Sequence, residues 1–228
     1  MNTRTEPYRI RVWDLPTRLF HWTLALAVLG ALATGLRGGD AMVWHLRLGQ
    51  AVLALLLFRG LWGLMGGRWS RFASFCLHPR QIMDYLRGQG GARLRTGHSP
   101  LGSLSTLGLL LLLAMQVASG LVSDDEIATT GPLTHLVSNA TVALATLYHK
   151  GWGKLLILAM VCLHILAIAL YTVRGQALVG AMLHGDKSLD EAMPASRDDG
   201  RTRLFAAVLA LLCLGASAWV FTLSPPAY

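Results

Sequence analysis

Five stretches of about twenty residues, at 17–36, 44–64, 101–122, 151–172 and 204–223, are almost wholly apolar, and each is long enough to cross the hydrocarbon core of a bilayer. In lipid the backbone must satisfy its own hydrogen bonds, so stretches of this kind are helices. The composition agrees: the 228 residues are 54% hydrophobic and only 14% charged, with a mean hydropathy of +0.49, where a soluble domain carries about 25% charged residues. Residues 1–33, basic at the start and ending in "ALA" at 31–33, also fit the template of a cleaved signal peptide. The apolar run is longer than that template needs, and removing it would break the alternation of charge described next, so it is read as a span.

The net charge is +8, and fifteen of the twenty basic residues fall on one side of the spans. Arg4, Arg9, Arg11 and Arg18 precede the first span, six arginines between 68 and 95 join the second to the third, and five basic residues between 174 and 203 join the fourth to the fifth. The other connections hold Arg37 and Lys150, and the longer one opens with Asp124, Asp125 and Glu126. The positive-inside rule therefore predicts a cytoplasmic N-terminus and a C-terminal "SPPAY" that faces outward. The basic residues report topology, not nucleic-acid binding. Cys76, Cys162 and Cys213 form no C-x-x-C and no C-x-x-C-H, which excludes a disulfide framework and covalently attached c-type haem. "GPLTHLVSNATVALATLYH" at 131–149 reads as a short helix lying along the outer interface, and Pro79 as the start of a short helix through "RQIMDYLRG".

An ionisable side chain within a membrane span points to function. Of eight histidines, His78, His98, His135 and His184 stand in loops or at a helix start, where a solvated or capping role suffices. His21, His45, His149 and His164 lie within or at the edges of spans one, two and four. The topology places His21 with His164 toward the cytoplasm and His45 with His149 toward the outside. His149 and His164 are separated by a rise of roughly 22 Å and point within about 60° of each other on a regular helix. Haem iron takes axial ligands from both faces of its ring, and facing helices supply them. Zinc prefers four close ligands, and a proton relay recruits intramembrane Asp or Glu, which the five spans lack. Gly49, one turn after His45, leaves room for a flat ring or for close helix packing. Arg47 and Arg59 either pair with haem propionates or snorkel to the interface. Trp22 and Trp44 read as interface anchors.

"VWDLPTRLFHW" at 12–22, "HLRLGQAVLALLLFRGLWGLMG" at 45–66, "RFASFCLHPRQIMDYLRG" at 71–88, "GHSPLG" at 97–102, "LHILAIALY" at 163–171 and "ALVGAMLHGDK" at 177–187 resemble the bacterial b561-type cytochromes, most closely the b-type cytochrome subunit of nickel–iron hydrogenases. The resemblance covers roughly residues 9 to 187. It implies a four-helix bundle holding two non-covalent b-type haems, with ligands from spans one, two and four: His21 and His164 on the cytoplasmic-side haem, His45 and His149 on the periplasmic-side one. In that family the span-four histidines stand fourteen apart in a form like H-x-x-x-G, whereas here they stand fifteen apart, with His135 the alternative to His149. "GHSPLG" stands close to the family's G-H-N-P-x-G and reads either as a turn with Pro100 at the first helical position or as part of a quinone or propionate site.

The expected fold is all-α: an integral membrane four-helix bundle over 1–187, a cytoplasmic linker over 188–203, and a fifth transmembrane helix with a short periplasmic tail over 204–228. The expected function is electron transfer between membrane ubiquinone or menaquinone and a separate periplasmic protein, either a hydrogenase-like enzyme or a cytochrome c. Quinone chemistry is expected on the cytoplasmic side near Asp14, Arg18 and His21. The alternatives are a self-sufficient superoxide:quinone oxidoreductase and a haem-free anchor or transporter. Besides lipid and quinone, a second copy of the chain is a candidate partner.

Overall fold

The computed structural model describes residues 8–89, 91–127 and 129–224; Arg4 and the terminal "PPAY" lie outside them. The elements in order are β1 (Tyr8–Arg11), α1 (Leu15–Arg37), α2 (Met42–Met65), α3 (Pro79–Leu86), α4 (Arg93–Thr96), α5 (Pro100–Leu121), α6 (Asn139–Leu147), a π-helical segment (Tyr148–Gly153), α7 (Lys154–Val173), α8 (Leu178–His184), β2 (Asp186–Leu189) and α9 (Gly200–Thr222). Five helical runs, 15–37, 39–65, 100–121, 139–173 and 200–222, are long and apolar enough to cross a membrane. Leu26, Leu64, Leu111, Leu158 and Leu211, one on each run, are all exposed. Such apolar surface belongs against lipid, and the protein is a multi-pass, all-α membrane protein.

Local sequence explains the helix starts. Pro79 and Pro100 open α3 and α5 as first helical residues, where the missing N–H costs nothing. His78 caps α3, its ring nitrogen accepting from the Arg80 amide at 3.2 Å. One sequence-based expectation fails: the helix expected to lie apart along the outer interface is not separate. Residues 139–147 run directly through the π segment into α7, giving 35 continuous helical residues, about 50 Å at the α-helical rise and longer than a bilayer core needs.

The chain divides into two compact units. The first comprises the described residues through Leu19, together with Arg59–Leu107 and Leu163–Ala207. Its order comes from the loops. β1 pairs antiparallel with β2, with Tyr8 opposite Leu189 and Arg11 opposite Asp186. Gly185, at φ +89°, ends α8 in a left-handed turn, and its carbonyl accepts from the amides of Val12 and Trp13 at 2.8 and 3.0 Å. A Cβ there would lie 2.6 Å from the Trp13 carbonyl, so both backbone conformation and space require glycine. Val12, Trp13, Trp69 and Ala181 form a buried cluster, and His98 packs against Trp13 and Phe75 with ring centroids 4.7 Å from each.

Asp14 is the polar centre of this unit and is fully buried. Its Oδ1 accepts from the Thr17 amide at 2.8 Å and the Trp62 indole at 3.2 Å, and its Oδ2 from the Ser70 hydroxyl at 2.8 Å and the Gly67 amide at 3.1 Å. The carboxylate thus caps α1 and ties it to the end of α2. Asp198 has a similar role nearer the surface. It accepts from Arg11, Arg203 and the Leu15 amide, with Arg18 4.0 Å away. Burial would raise its carboxyl, but the hydrogen bonds and charge of those partners outweigh it and hold the group below the ordinary carboxylate range.

The second unit comprises Phe20–Phe58, Gly108–Cys162 and the chain from Val208. Gly30 on α1 faces Leu48 on α2, where a Cβ would come within 2.9 Å of the leucine. Ser217 of α9 donates to the Gln50 carbonyl at 2.8 Å, which ties the fifth helix to α2. Asp124 meets Thr146 through its amide at 3.1 Å, which draws the outer loop onto α6.

Asp14→Ala orphans three buried donors, the Trp62 indole keeping Thr17 Oγ1 at 3.2 Å, and is expected to lower stability by about 2–4 kcal/mol, more than Asp14→Asn, which keeps one acceptor oxygen; thermal unfolding in detergent measures this. Because the folded carboxyl of Asp198 titrates below its unfolded value of about 3.9, its contribution is present above that pH and is lost as pH falls through the folded pKa. The unfolding midpoint of Asp198→Asn should accordingly fall less on acidification than that of the native protein.

Candidate functional site

The second unit brings two histidines from distant parts of the chain together. His45 lies near the start of α2 and His149 in the π segment, with ring centroids 6.0 Å apart and planes at 84°. Each is half-buried, and each makes the same hydrogen bond. Nδ1 of His45 lies 2.9 Å from the Ala31 carbonyl on α1, and Nδ1 of His149 lies 2.9 Å from the Gln116 carbonyl on α5. A carbonyl only accepts, so both Nδ1 atoms carry the proton and both lone pairs sit on Nε2.

The helices that receive these rings are built alike. Residues 31–35 read Ala-Leu-Ala-Thr-Gly and residues 116–120 read Gln-Val-Ala-Ser-Gly. In each, the first residue supplies the accepting carbonyl. Three residues on, the hydroxyl of Thr34 or Ser119 donates to that same carbonyl, at 3.2 and 2.9 Å. Four residues on stands glycine. A Cβ at Gly35 would lie 3.0 Å from the His45 ring, and one at Gly120 would lie 2.7 Å from the His149 ring. The glycines therefore let each imidazole lie against its helix close enough to reach the carbonyl.

The π segment accounts for the spacing of fifteen residues between His149 and His164. A π turn inserts one residue relative to an α-helix, so fifteen residues run through this helix as fourteen would through a regular one. Gln116 holds the segment in place: its side-chain amide donates to the His149 carbonyl at 2.9 Å, and its Oε1 meets Gly153, where a Cβ would collide with it. The sequence traces of this arrangement are the extra residue and Gln116, a polar residue in an apolar span without a histidine.

Two imidazoles that bind one metal from opposite faces, with bonds of about 2.0–2.1 Å and ring centres about 1 Å beyond each nitrogen, hold their centroids about 6 Å apart. The observed 6.0 Å between the His45 and His149 ring centroids matches that spacing, and the Nδ1 hydrogen bonds leave Nε2 as the available donor on both. Among the described residues no group of three or more His, Cys, Asp or Glu side chains could hold a metal ion, so the pair suits a metal whose remaining ligands come with a macrocycle. Gly49, one turn from His45, meets no other atom within 4 Å of a Cβ built on it, so the face that carries His45 is not closed there by helix packing.

The remaining predicted site residues fall as follows. His21, half-buried on α1 in the second unit, stands edge-on to Trp22 with centroids 5.0 Å apart. His164, half-buried on α7, belongs to the first unit. His135 is exposed in a short turn. Arg47 is exposed, with its guanidinium 5.1 Å from the Trp44 ring centre. Arg59 is only 3% exposed; its guanidinium lies over Phe72 at 4.6 Å, and Nη1 has no hydrogen-bond partner among the described residues. Both oxygens of Asp14 are taken by protein donors, and Arg18 donates to the Leu183 carbonyl at 2.6 Å; these two side chains are engaged structurally.

The family model described as prokaryotic cytochrome b561 matches residues 12–185. Among curated proteins, none matches the chain. Because a larger side chain at Gly120 would push the His149 ring off its carbonyl, Gly120→Leu should lower the haem content of the purified protein while Gly215→Leu on α9, where a Cβ meets nothing within 4 Å, leaves it unchanged, as measured by haem quantification.

Proposed function

The chain belongs to the prokaryotic cytochrome b561 family, and from that premise we propose that it carries electrons between the membrane quinone pool and a periplasmic redox protein through two b-type haems. Family and spans together make it a transmembrane b-type cytochrome in electron transfer. Each haem, when bound, would supply a one-electron carrier.

The observation that carries this reading is the His45–His149 pair, set about one metal apart with each Nδ1–H committed to a helix carbonyl. These two residues hold the outer haem. Ala31 and Gln116, through their carbonyls, fix the tautomer and raise the basicity of the ligating nitrogens. His21 and His164 hold the inner haem, a pairing that rests on their depth in the spans and on the family resemblance. Arg59, charged, buried and with an unmatched Nη1, suits a propionate of the inner haem. Arg47, exposed and stacked on Trp44, suits one of the outer haem.

The basic residues favour a cytoplasmic N-terminus in an inner membrane, with His45 and His149 toward the periplasm. A periplasmic protein then exchanges electrons at the outer haem and quinone at the inner one. The likeness to the hydrogenase b-type subunit favours a hydrogenase-like partner, with a cytochrome c as the alternative.

The dithionite-reduced spectrum with haem quantified per chain tests the assignment. Two haems are expected in the native chain, and loss of at least one in each of His21→Ala, His45→Ala, His149→Ala and His164→Ala. Normal haem content in all four contradicts it, and loss with His135→Ala but not with His149→Ala moves the outer ligand.

A further inference from the structure

We propose that the first unit binds the phosphate of an anionic phospholipid in the cavity between the end of α2 and the start of α9. This cavity, of about 610 Å³, brings together Arg68 and Arg71 from the loop after α2 with Arg197 and Arg201 from the chain leading into α9, above the rings of Trp62 and Phe205. Arg68 and Arg71 also line a neighbouring cavity of about 470 Å³, which Arg93 joins from α4. Four arginines from two segments thus line this cavity and three line its neighbour, and no acidic side chain lines either.

Elsewhere in the same unit two aspartates pair with arginines, while Arg80, Arg87, Arg95 and Arg174, apart from the cavity, make no ion pair among the described residues. Asp186 pairs with Arg9 and Arg11, and Asp198 pairs with Arg11 and Arg203. Around the cavity, Arg197 pairs with Asp199 at 2.9 Å, while among the described residues Arg68, Arg71 and Arg201 make no ion pair. Converging like charges repel unless an anion from outside joins them. Phosphate is the anion that suits several guanidiniums at once, because each presents a planar fork of donors to its oxygens.

The cavity floor selects a lipid over a free anion. Trp62 and Phe205 stand with ring centroids 6.2 Å apart, and beside them Leu61, Leu64 and Met65 on α2 and Leu204 on α9 expose apolar side chains on membrane-spanning helices. Arginines at the helix ends over an apolar groove reproduce the order of a phospholipid, headgroup above acyl chain. Basic pockets between transmembrane helices take anionic lipids in this way.

Native mass spectrometry of the full chain in non-ionic detergent tests this, with phosphatidylglycerol, cardiolipin, phosphatidylcholine or inorganic phosphate added in separate arms. The expected result is retention of phosphatidylglycerol and cardiolipin well above phosphatidylcholine, weakened about fivefold for each guanidinium removed in Arg68→Gln with Arg201→Gln and unchanged in Arg174→Gln. The charge-keeping pair Arg68→Lys with Arg201→Lys should fall between and guards against a folding defect in the first variant. Equal retention of phosphatidylcholine, lipid binding unchanged in the double glutamine variant, or displacement of the lipid by equimolar inorganic phosphate would each overturn the proposal.

Discussion

A neutral imidazole in an apolar membrane interior carries one N–H that must find an acceptor, and the acceptors at hand are carbonyls of neighbouring helices. His45 and His149 both meet this constraint with Nδ1, and much of the second unit follows from it. Glycine must stand one turn beyond each accepting carbonyl, or the ring cannot approach. The hydroxyls of Thr34 and Ser119 take up capacity on those same oxygens. α1 and α5 thus supply no ligating nitrogen at this pair, yet they decide which nitrogen His45 and His149 present. Span three, without a histidine, acts through Gln116, which receives the ring with its backbone and holds the π segment with its side chain.

The first unit solves a different problem, the ordering of polar chain at the ends of apolar helices. Asp14 gathers four donors from α1, the end of α2 and the following loop. The two-stranded sheet and Asp198 then fasten the chain around it. The unit's acids are placed unevenly: they quench Arg9, Arg11 and Arg203 and leave Arg68, Arg71 and Arg201 open.

Much of this was legible in the sequence because it rests on long-range hydropathy and on rigid residues. The five spans follow from apolar length, and the starts of α3 and α5 follow from Pro79 and Pro100. What was not legible depends on partners far away in the chain. The pairing of Tyr8–Arg11 with Asp186–Leu189 joins segments some 177 residues apart, and neither is apolar enough to stand out alone. The π segment leaves only one surplus residue and the polar Gln116 as its traces, and α6 runs into α7 through it without a break. The matching pentads at 31–35 and 116–120 are too short to register as a repeat until a histidine is seen lying on each.

The central claim is that His45 and His149, whose ring planes stand 84° apart, would together hold one haem iron. Electron paramagnetic resonance of the oxidised protein, compared with His149→Ala, tests it most directly. The account predicts a highly anisotropic low-spin ferric signal, the signature of near-perpendicular axial imidazoles, present in the native chain and absent from the variant. A high-spin ferric signal in the native protein, or that highly anisotropic signal surviving His149→Ala at undiminished intensity, would contradict it.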